Sequence, residues 1–172
     1  MEQWRDIKGC EDSYSISSLG RVKSKSRFVK SCWGSIKPIH ERILKPSLAR
    51  GVLHVILRIK GENITARIHR LVAEAFIPNP YSLPQVDHKN RNSIDNVVGN
   101  LRWCSVKQNA WNTGQRTHKY IGVYPYHSRI NPWRAYCSGR WLGAFKTKRG
   151  AAIAYNNFVR DNHGQFAVLN VL

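Results

Sequence analysis

The sequence predicts an α+β fold with a small N-terminal antiparallel sheet, a β-loop-β-α unit, and a C-terminal three-stranded antiparallel sheet packed on one helix. Three observations support it. Tyr14 and Ile16 alternate with polar residues, which is typical of a short half-buried strand. A strand ending at residues 85–88 and a short apolar run at residues 101–104 flank a polar loop, and Ser105 behind them is a good helix N-cap. Near the C-terminus, three strand-like runs precede a helix with apolar residues at helical spacing.

The charge of the chain indicates what it binds. Its 172 residues include 28 basic and only 10 acidic side chains, which gives a formal net charge of +18. Such a field attracts polyanions and adds sequence-independent affinity for nucleic acid. The sequence has no long basic amphipathic segment, no apolar run long enough to span a bilayer and no signal-peptide pattern. We therefore expect a cytoplasmic protein that does not bind membranes.

Cysteine spacing argues against a structural zinc site. Cys10, Cys32, Cys104 and Cys137 are far apart in sequence and form no CxxC pair. We interpret them as reduced, mostly buried thiols of a cytosolic protein.

Residues 1–68 are predicted to be a β-rich DNA-binding region. Residues 52–59 and 64–68 read as a hairpin that extends the N-terminal sheet, whereas Pro38 and Pro46 favour irregular chain over residues 31–50. Basic residues follow the first strands and are expected to contact phosphates, the alternative being a solvated strand face. These residues are Arg21, Lys23, Lys25 and Arg27.

The candidate catalytic residues begin at the adjacent pair Asp87 and His88. A carboxylate suits Mg²⁺ or Mn²⁺, and histidine is a natural general base because its ordinary pKa lies near neutrality. Asn100 could hold His88 in one tautomer, and Asn109, four residues into the helix, could offer an oxygen to the metal. Neighbours on a strand point to opposite faces, so the strand must end or bend at His88 if both serve one site. Alone, the pair could equally be part of a surface loop.

The spacing of these residues resembles a known motif. Asp87-His88, then Asn100-Leu101-Arg102-Trp103, then Asn109 on a capped helix resemble the ββα-metal unit of HNH nucleases, in the subclass where asparagine replaces the later histidine. The resemblance implies Asp87 and Asn109 as metal ligands, His88 as general base, and Asn100 as the residue that positions the loop and the histidine. It also implies one Mg²⁺ or Mn²⁺ per active site. We count Arg102 among the expected DNA contacts.

The two ends of the chain carry further resemblances. Residues 4–9 and 14–22 resemble the N-terminal motif of free-standing phage HNH homing endonucleases, although Cys10 replaces the usual aromatic and Ser18 the usual asparagine. Residues 120–172 resemble the plant ethylene-response-factor (Apetala-type) DNA-binding domain, although Ile121 stands where that family has an arginine. The sheet of that family lies in the DNA major groove. The implied DNA contacts here are Tyr124, Arg134, Tyr136, Arg140 and Trp141. Trp133 could equally pack in the core.

The leading hypothesis is a phage-type HNH homing endonuclease that cuts double-stranded DNA at a specific but sequence-tolerant site. One active site per monomer predicts nicking of one strand and no protein partner, in the cytoplasm of a bacterial host. The alternatives are a non-catalytic DNA-binding transcriptional regulator and an RNA-binding protein. The predicted parts are a DNA-binding region (1–68), a nuclease unit (69–113), a linker (114–119) and a C-terminal DNA-binding domain (120–172).

Overall fold

The computed structural model of the chain describes residues 1–30, 34–112 and 119–172. It contains two compact units, Met1–Cys104 and Ser105–Leu172. Cys32 and all of the predicted linker except Lys119 lie outside the described residues. No helix in the described part of the chain is long and apolar enough to cross a membrane.

The first unit consists of short antiparallel sheets around one helix. Its strands in chain order are β1 (Trp4–Asp6), β2 (Tyr14–Ser17), β3 (Val22–Ser24), β4 (Arg27–Lys30), β5 (Ile36–Ile39), β6 (Arg42–Ile43), β7 (Ser47–Ala49), β8 (Val52–Ile59), β9 (Glu62–Arg67), β10 (Gln85–His88) and β11 (Leu101–Cys104). Helix α1 (Ile68–Phe76) follows β9. The sheets are ordered β1-β2-β3-β6, β4-β5, β7-β8-β9 and β10-β11.

Strand β2 confirms the predicted N-terminal strand but is buried along its whole length. It lies in the interior of its sheet, between β1 and β3. The buried hydroxyl oxygen of Ser17 accepts a hydrogen bond from the backbone N–H of Arg21 at 3.0 Å, so this polar residue is accommodated. The predicted half-burial was therefore wrong.

Two further predictions for the N-terminal region were wrong. Residues 31–50 were expected to be irregular, yet β5 and β7 lie there, and Pro38 stands opposite Phe28 in the β4-β5 ribbon. A two-stranded ribbon has only edge strands, where proline is tolerated. The hairpin β8-β9 confirms the predicted strand pair, but it joins β7 in a separate sheet instead of extending the first.

Helix α1 joins the sheets into one core. It matches the helix that the sequence predicts over residues 69–76, and the chain becomes extended at Ile77 just before Pro78. Ile68 and Val72 on this helix pack with Ile16 of β2 and Val55 of β8. Because these apolar residues come from separate sheets, their burial fixes the surfaces on which β10 and β11 rest.

Gly20 forms the turn between β2 and β3 and lies against the loop between β10 and β11. Its φ is +80°, and a Cβ atom there would lie 2.9 Å from the Cβ atom of Asn96. The backbone N–H of Val98 donates to the carbonyl of Ser18 at 2.9 Å. The N-terminal turn and this loop are therefore packed together within the first unit.

We expect Gly20→Ala to destabilise the first unit by about 1–3 kcal/mol, because alanine must adopt a left-handed conformation and displace Asn96. Gly9→Ala is a matched control, since φ at Gly9 is +82° and nothing lies within 4 Å of a Cβ placed there. Urea unfolding of both variants measures the difference. Equal losses of stability would show that the contact with Asn96 costs nothing.

The second unit begins with helix α2 (Val106–Trp111) and continues with β12 (Val123–Pro125), β13 (Trp133–Cys137), β14 (Arg140–Phe145) and helix α3 (Lys148–His163). The three strands form one antiparallel sheet in sequence order, as predicted. Ala135 and Cys137 face α3, where Ala151, Ala152, Tyr155 and Val159 are buried. The first strand is shorter than expected because Gly122, with φ +71°, interrupts it.

Candidate active site

The hairpin β10-β11 places the predicted catalytic pair at a strand end. Asp87 pairs with Arg102 across the hairpin, and His88 pairs with Leu101. Strand β10 ends at His88, as a shared site for Asp87 and His88 requires. Both side chains are buried, Asp87 at 5% and His88 at 9% exposure.

Asp87 lies in an ion pair with Arg102. One carboxylate oxygen, Oδ2, accepts from Nε of Arg102 at 2.8 Å and from Nη2 at 2.7 Å. The two side chains are only 6% and 11% exposed. A buried carboxylate requires a compensating cation, and Arg102 supplies one. Arg102, for which the sequence predicts a DNA contact, thus has its guanidinium directed at Asp87.

His88 is held by Asn96, which is not among the residues predicted from the sequence. Its Nε2 lies 2.9 Å from Oδ1 of Asn96, and both residues are buried. On another side, the ring of His69 meets the His88 ring edge-on, with 5.3 Å between centroids and 68° between planes. His88 therefore lies in a buried polar cluster built from α1, β10 and the β10-β11 loop.

His69, near the start of α1, is 8% exposed. Burial, together with the nearby rings and cations of His88, Arg67, Arg70 and His54, lowers the pKa of His69 to about 4. It is therefore neutral at physiological pH. Two buried atoms of this cluster, Nδ1 of His69 and Nδ2 of Asn96, have no hydrogen-bond partner among the described residues.

This lowered pKa predicts loss of stability in acid. The folded protein resists protonation of His69 until about pH 4, whereas an unfolded histidine takes up a proton near pH 6.5. Stability should therefore fall as pH decreases from about 6.5 toward 4, by an amount on the order of 3 kcal/mol for this group. Urea unfolding between pH 7 and pH 4.5 tests this. In His69→Phe, the free energy of unfolding should depend less steeply on pH, because about one proton fewer is taken up on unfolding. A slope equal to that of the wild type would contradict the role assigned to His69.

Asn100 organises the polar loop that follows His88. Its Oδ1 accepts from the backbone N–H of Asn90 at 3.0 Å, and its Nδ2 donates to Oδ1 of Asn90 at 3.0 Å and to the carbonyl of Asp95 at 2.7 Å. The backbone N–H of Lys89 donates to the Asn100 carbonyl at 2.8 Å. These bonds close the loop over residues 89–100.

The second unit contains Asn109. It lies on α2, which begins at Ser105 as predicted, and a reciprocal capping box joins Ser105 to Gln108. At the end of α2, the Trp111 ring stacks on His163 of α3, with 4.2 Å between centroids and 8° between planes. The helix that carries Asn109 is therefore packed against the C-terminal helix of the same unit.

The four basic residues that the sequence predicts to contact phosphates have intramolecular partners. Lys23 lies 3.1 Å from Glu41, and Lys25 lies 2.6 Å from Asp6. Arg21 binds Glu2. Nη1 of Arg27 donates to three oxygens, on Ser13, Ser24 and Lys25, at 3.0–3.1 Å. Phosphate contact by these side chains therefore competes with bonds inside the protein.

The outer face of the C-terminal sheet gathers four of the five predicted DNA contacts of that region at exposed positions: Tyr124, Arg134, Tyr136 and Trp141. Arg140 is also exposed, but it stands opposite the buried Cys137, and its guanidinium lies 5.5 Å from the ring of Phe158 on α3, so it is on the helix side of the sheet. Tyr124 stands opposite Arg134, and Tyr136 stands opposite Trp141. Trp133 packs against the apolar core, with the Lys148 ammonium 4.3 Å from its ring. This face is basic and aromatic, as a nucleic-acid-binding surface requires.

The donor atoms suit a hard cation. Among residues 1–30, 34–112 and 119–172, no three His, Cys, Asp or Glu side chains are grouped to hold a metal. Mg²⁺ needs no such cage, because it keeps several waters and binds through one or two carboxylates together with substrate phosphates. A buried carboxylate such as Asp87 therefore fits Mg²⁺ or Mn²⁺.

Comparisons with known proteins identify two families and several similar proteins. Residues 2–58 match the NUMOD4 motif and residues 66–111 match an HNH endonuclease domain. The chain is 35% identical over 115 residues to DNA endonuclease I-HmuI of Bacillus phage SP01, and 33% identical over 135 residues to an uncharacterised HNH endonuclease of Acanthamoeba polyphaga mimivirus. The match to the phage protein covers 66% of this chain and 59% of that protein. The match to the mimivirus protein covers 77% of this chain and 37% of that protein.

A solved structure is also similar. It describes DNA binding and cleavage by the HNH homing endonuclease I-HmuI, and it superimposes with a TM-score of 0.51 at 34% sequence identity. The match covers 64% of this chain and 56% of that one.

Proposed function

We propose that this chain, which carries a NUMOD4 motif followed by a domain of the HNH endonuclease family, is a site-specific, sequence-tolerant homing endonuclease that hydrolyses phosphodiester bonds in double-stranded DNA. The observation that carries the proposal is the buried Asp87-His88 pair at the end of β10, in which each residue has its own polar partner. In a regulator that only binds DNA, these two side chains would have structural roles alone.

Each polar group has a distinct role in this proposal. His88 removes a proton from the attacking water, and Asn100 keeps the loop around His88 closed. Asp87 and Asn109 would hold one Mg²⁺ or Mn²⁺, an assignment of both residues that rests on the family motif. When bound, such a cation stabilises negative charge on the leaving oxygen. The products carry 5′-phosphate and 3′-hydroxyl ends, as the family resemblance implies.

The excess positive charge brings DNA to this site. Arg21, Lys23 and Lys25 would exchange their carboxylate partners for phosphates, which the salt dependence of surface ion pairs permits. The exposed sheet face of the second unit would read DNA in the manner of the Apetala-type domain. We propose action as a monomer in the cytoplasm of a bacterial host, with nicking of one strand per binding event.

A plasmid assay tests the activity. Supercoiled plasmid carrying candidate target DNA is incubated with the protein and MgCl₂, with and without excess EDTA. We expect nicked circles only when Mg²⁺ is available. Linear product at first turnover would indicate a dimer. DNA binding without any metal-dependent product would favour the alternative, a non-catalytic DNA-binding regulator.

The DNA-binding role of the second unit predicts a specific loss. Arg134→Ala should weaken binding to target DNA by roughly 5- to 150-fold, the range for one base-reading arginine. Arg160→Ala is a matched control because Arg160 is an exposed arginine of α3, which packs on the opposite face of the sheet. Titrations at fixed salt measure both affinities. Equal losses of affinity in the two variants would mean that DNA binding depends only on net charge.

A further inference from the structure

We propose that Asn96 is a positioning residue for the general base: its side chain fixes His88 as the Nε2–H tautomer, and the Gly20 turn of the N-terminal motif holds Asn96 in place. This inference rests on the proposed function for its catalytic meaning. Its structural content, the tautomer of one imidazole, can be measured without any cleavage.

The tautomer follows from the chemistry of the contact. Nε2 of His88 lies 2.9 Å from Oδ1 of Asn96, and an amide oxygen accepts hydrogen bonds but cannot donate them. Nε2 must therefore carry the proton. A neutral imidazole has a single N–H, so the lone pair lies on Nδ1. Nδ1 is then the atom of His88 that removes the proton from water.

Asn96 is well placed to impose this choice. It is 4% exposed, so water does not compete strongly for its amide oxygen. Its main chain is confined as well, because a Cβ atom on Gly20 would lie 3.3 Å from the Asn96 carbonyl oxygen and 2.9 Å from its Cβ atom. Two residues further on, Val98 donates to Ser18 in the same N-terminal turn.

Neither Asn100 nor His69 takes the role assigned to Asn96. Both amide atoms of Asn100 are bonded to Asn90 and Asp95, which dedicates its side chain to the shape of the loop. His69 touches His88 through the edge of its ring, which restricts rotation of the imidazole but supplies no acceptor for Nε2–H. The Asn96 amide and the His69 ring together hold the imidazole plane.

The contact with Gly20 extends the argument to the N-terminal motif. Residues 2–58 match that motif and residues 66–111 match the nuclease domain, and the Gly20-Asn96 contact joins the two. The motif would then act on catalysis directly, by holding Asn96, in addition to any contact it makes with DNA.

Imidazole nitrogen NMR on the full chain, free of metal and DNA, tests the proposal. The His88 signals are assigned by their loss in His88→Ala. In the wild type we expect the Nε2–H tautomer of His88. Asn96→Leu, nearly equal in size, should give a mixture of tautomers, whereas Asn96→Asp retains an acceptor and should keep Nε2–H. Asn92→Leu, in an exposed position of the same loop, should leave the signals unchanged.

Single-turnover cleavage supplies the second readout. Asn96→Leu should lower the rate roughly 10- to 100-fold, the usual effect of removing a group that orients an active-site histidine. Its DNA affinity should stay within about twofold of the wild-type affinity, and Asn96→Asp should recover much of the rate. Gly20→Ala should shift the tautomer in the same direction as Asn96→Leu, because it displaces Asn96.

Each result bears on one idea. An Nδ1–H tautomer in the wild type, or an unchanged tautomer in folded Asn96→Leu, overturns the proposal. An unchanged tautomer in Gly20→Ala overturns the part assigned to the N-terminal turn. If the predicted tautomer is found but the wild type never cuts DNA with Mg²⁺, the proposed function fails while Asn96 remains the residue that sets the tautomer.

Discussion

Replacing His88 with alanine should lower the single-turnover rate of DNA cutting about 10²- to 10⁴-fold, the usual contribution of a general base. Binding of target DNA should be nearly unchanged, because His88 is buried and the exposed basic residues stay in place. The measurement is the rate of nicking at saturating protein in MgCl₂, together with the dissociation constant of the same DNA without metal. A rate loss with constant affinity assigns His88 to the chemical step.

His40→Ala is the matched control for this prediction. His40 lies at an exposed position between β5 and β6, so its removal should alter neither the rate nor the fold. Thermal unfolding of both variants shows whether the first unit stays folded. Normal cutting by folded His88→Ala would remove His88 from the mechanism and leave the origin of the base to be found elsewhere.

Periodicity and turn residues predicted most of the individual elements. The hairpin β8-β9 could be recognised because Lys60-Gly61 separates two β-branched runs, and both residues have positive φ. Helix α3 could be recognised because Thr147 caps it and its apolar residues recur at helical spacing. These signals are local, since each depends on neighbours within a few positions.

The arrangement of the sheets could not be predicted in the same way. Whether β8 and β9 extend the first sheet or form another is decided by packing on α1, and the sequence contains no direct measure of it. Pro38 does not prevent strand formation, because the rule that excludes proline from strands applies to central strands, whereas β5 pairs only with β4.

The candidate active site was likewise only partly predictable from the sequence. The spacing of Asp87, His88, Asn100 and Asn109 identifies candidate residues, but it does not show which atoms meet. Asn96 is one of four asparagines in the loop, and nothing in its neighbours separates it from Asn90 or Asn92. Its selection depends on the Gly20 turn, which lies some seventy-five residues away in sequence, so only the folded chain reveals it.

The second large effect concerns Arg102, whose removal should destabilise the first unit. Arg102→Leu leaves the Asp87 carboxylate buried without its cation, and breaking a buried pair in this way costs about 3–5 kcal/mol. Asp87→Leu should destabilise the unit by a similar amount, because it leaves the Arg102 guanidinium buried without its counter-ion. The double variant should be more stable than either single variant, because two apolar side chains of moderate size need no compensating charge. Amide hydrogen exchange in β10 and β11, in buffer with EDTA, measures the free energy of opening.

Lys23→Leu provides the matched control, since Lys23 is only half-buried and pairs with an exposed Glu41, and such pairs near the surface contribute roughly 0–1 kcal/mol. Additivity of the two single losses of stability in the double variant would contradict a direct coupling between Asp87 and Arg102.

Addition of MgCl₂ tests whether Asp87 binds a metal ion or only pairs with Arg102. If Asp87 is a metal ligand, Mg²⁺ should restore more stability to Arg102→Leu than it adds to the wild type, because the ion then supplies the charge that Arg102 supplied. Equal stabilisation of both proteins would argue that Asp87 does not bind the metal and that its pairing with Arg102 is purely structural.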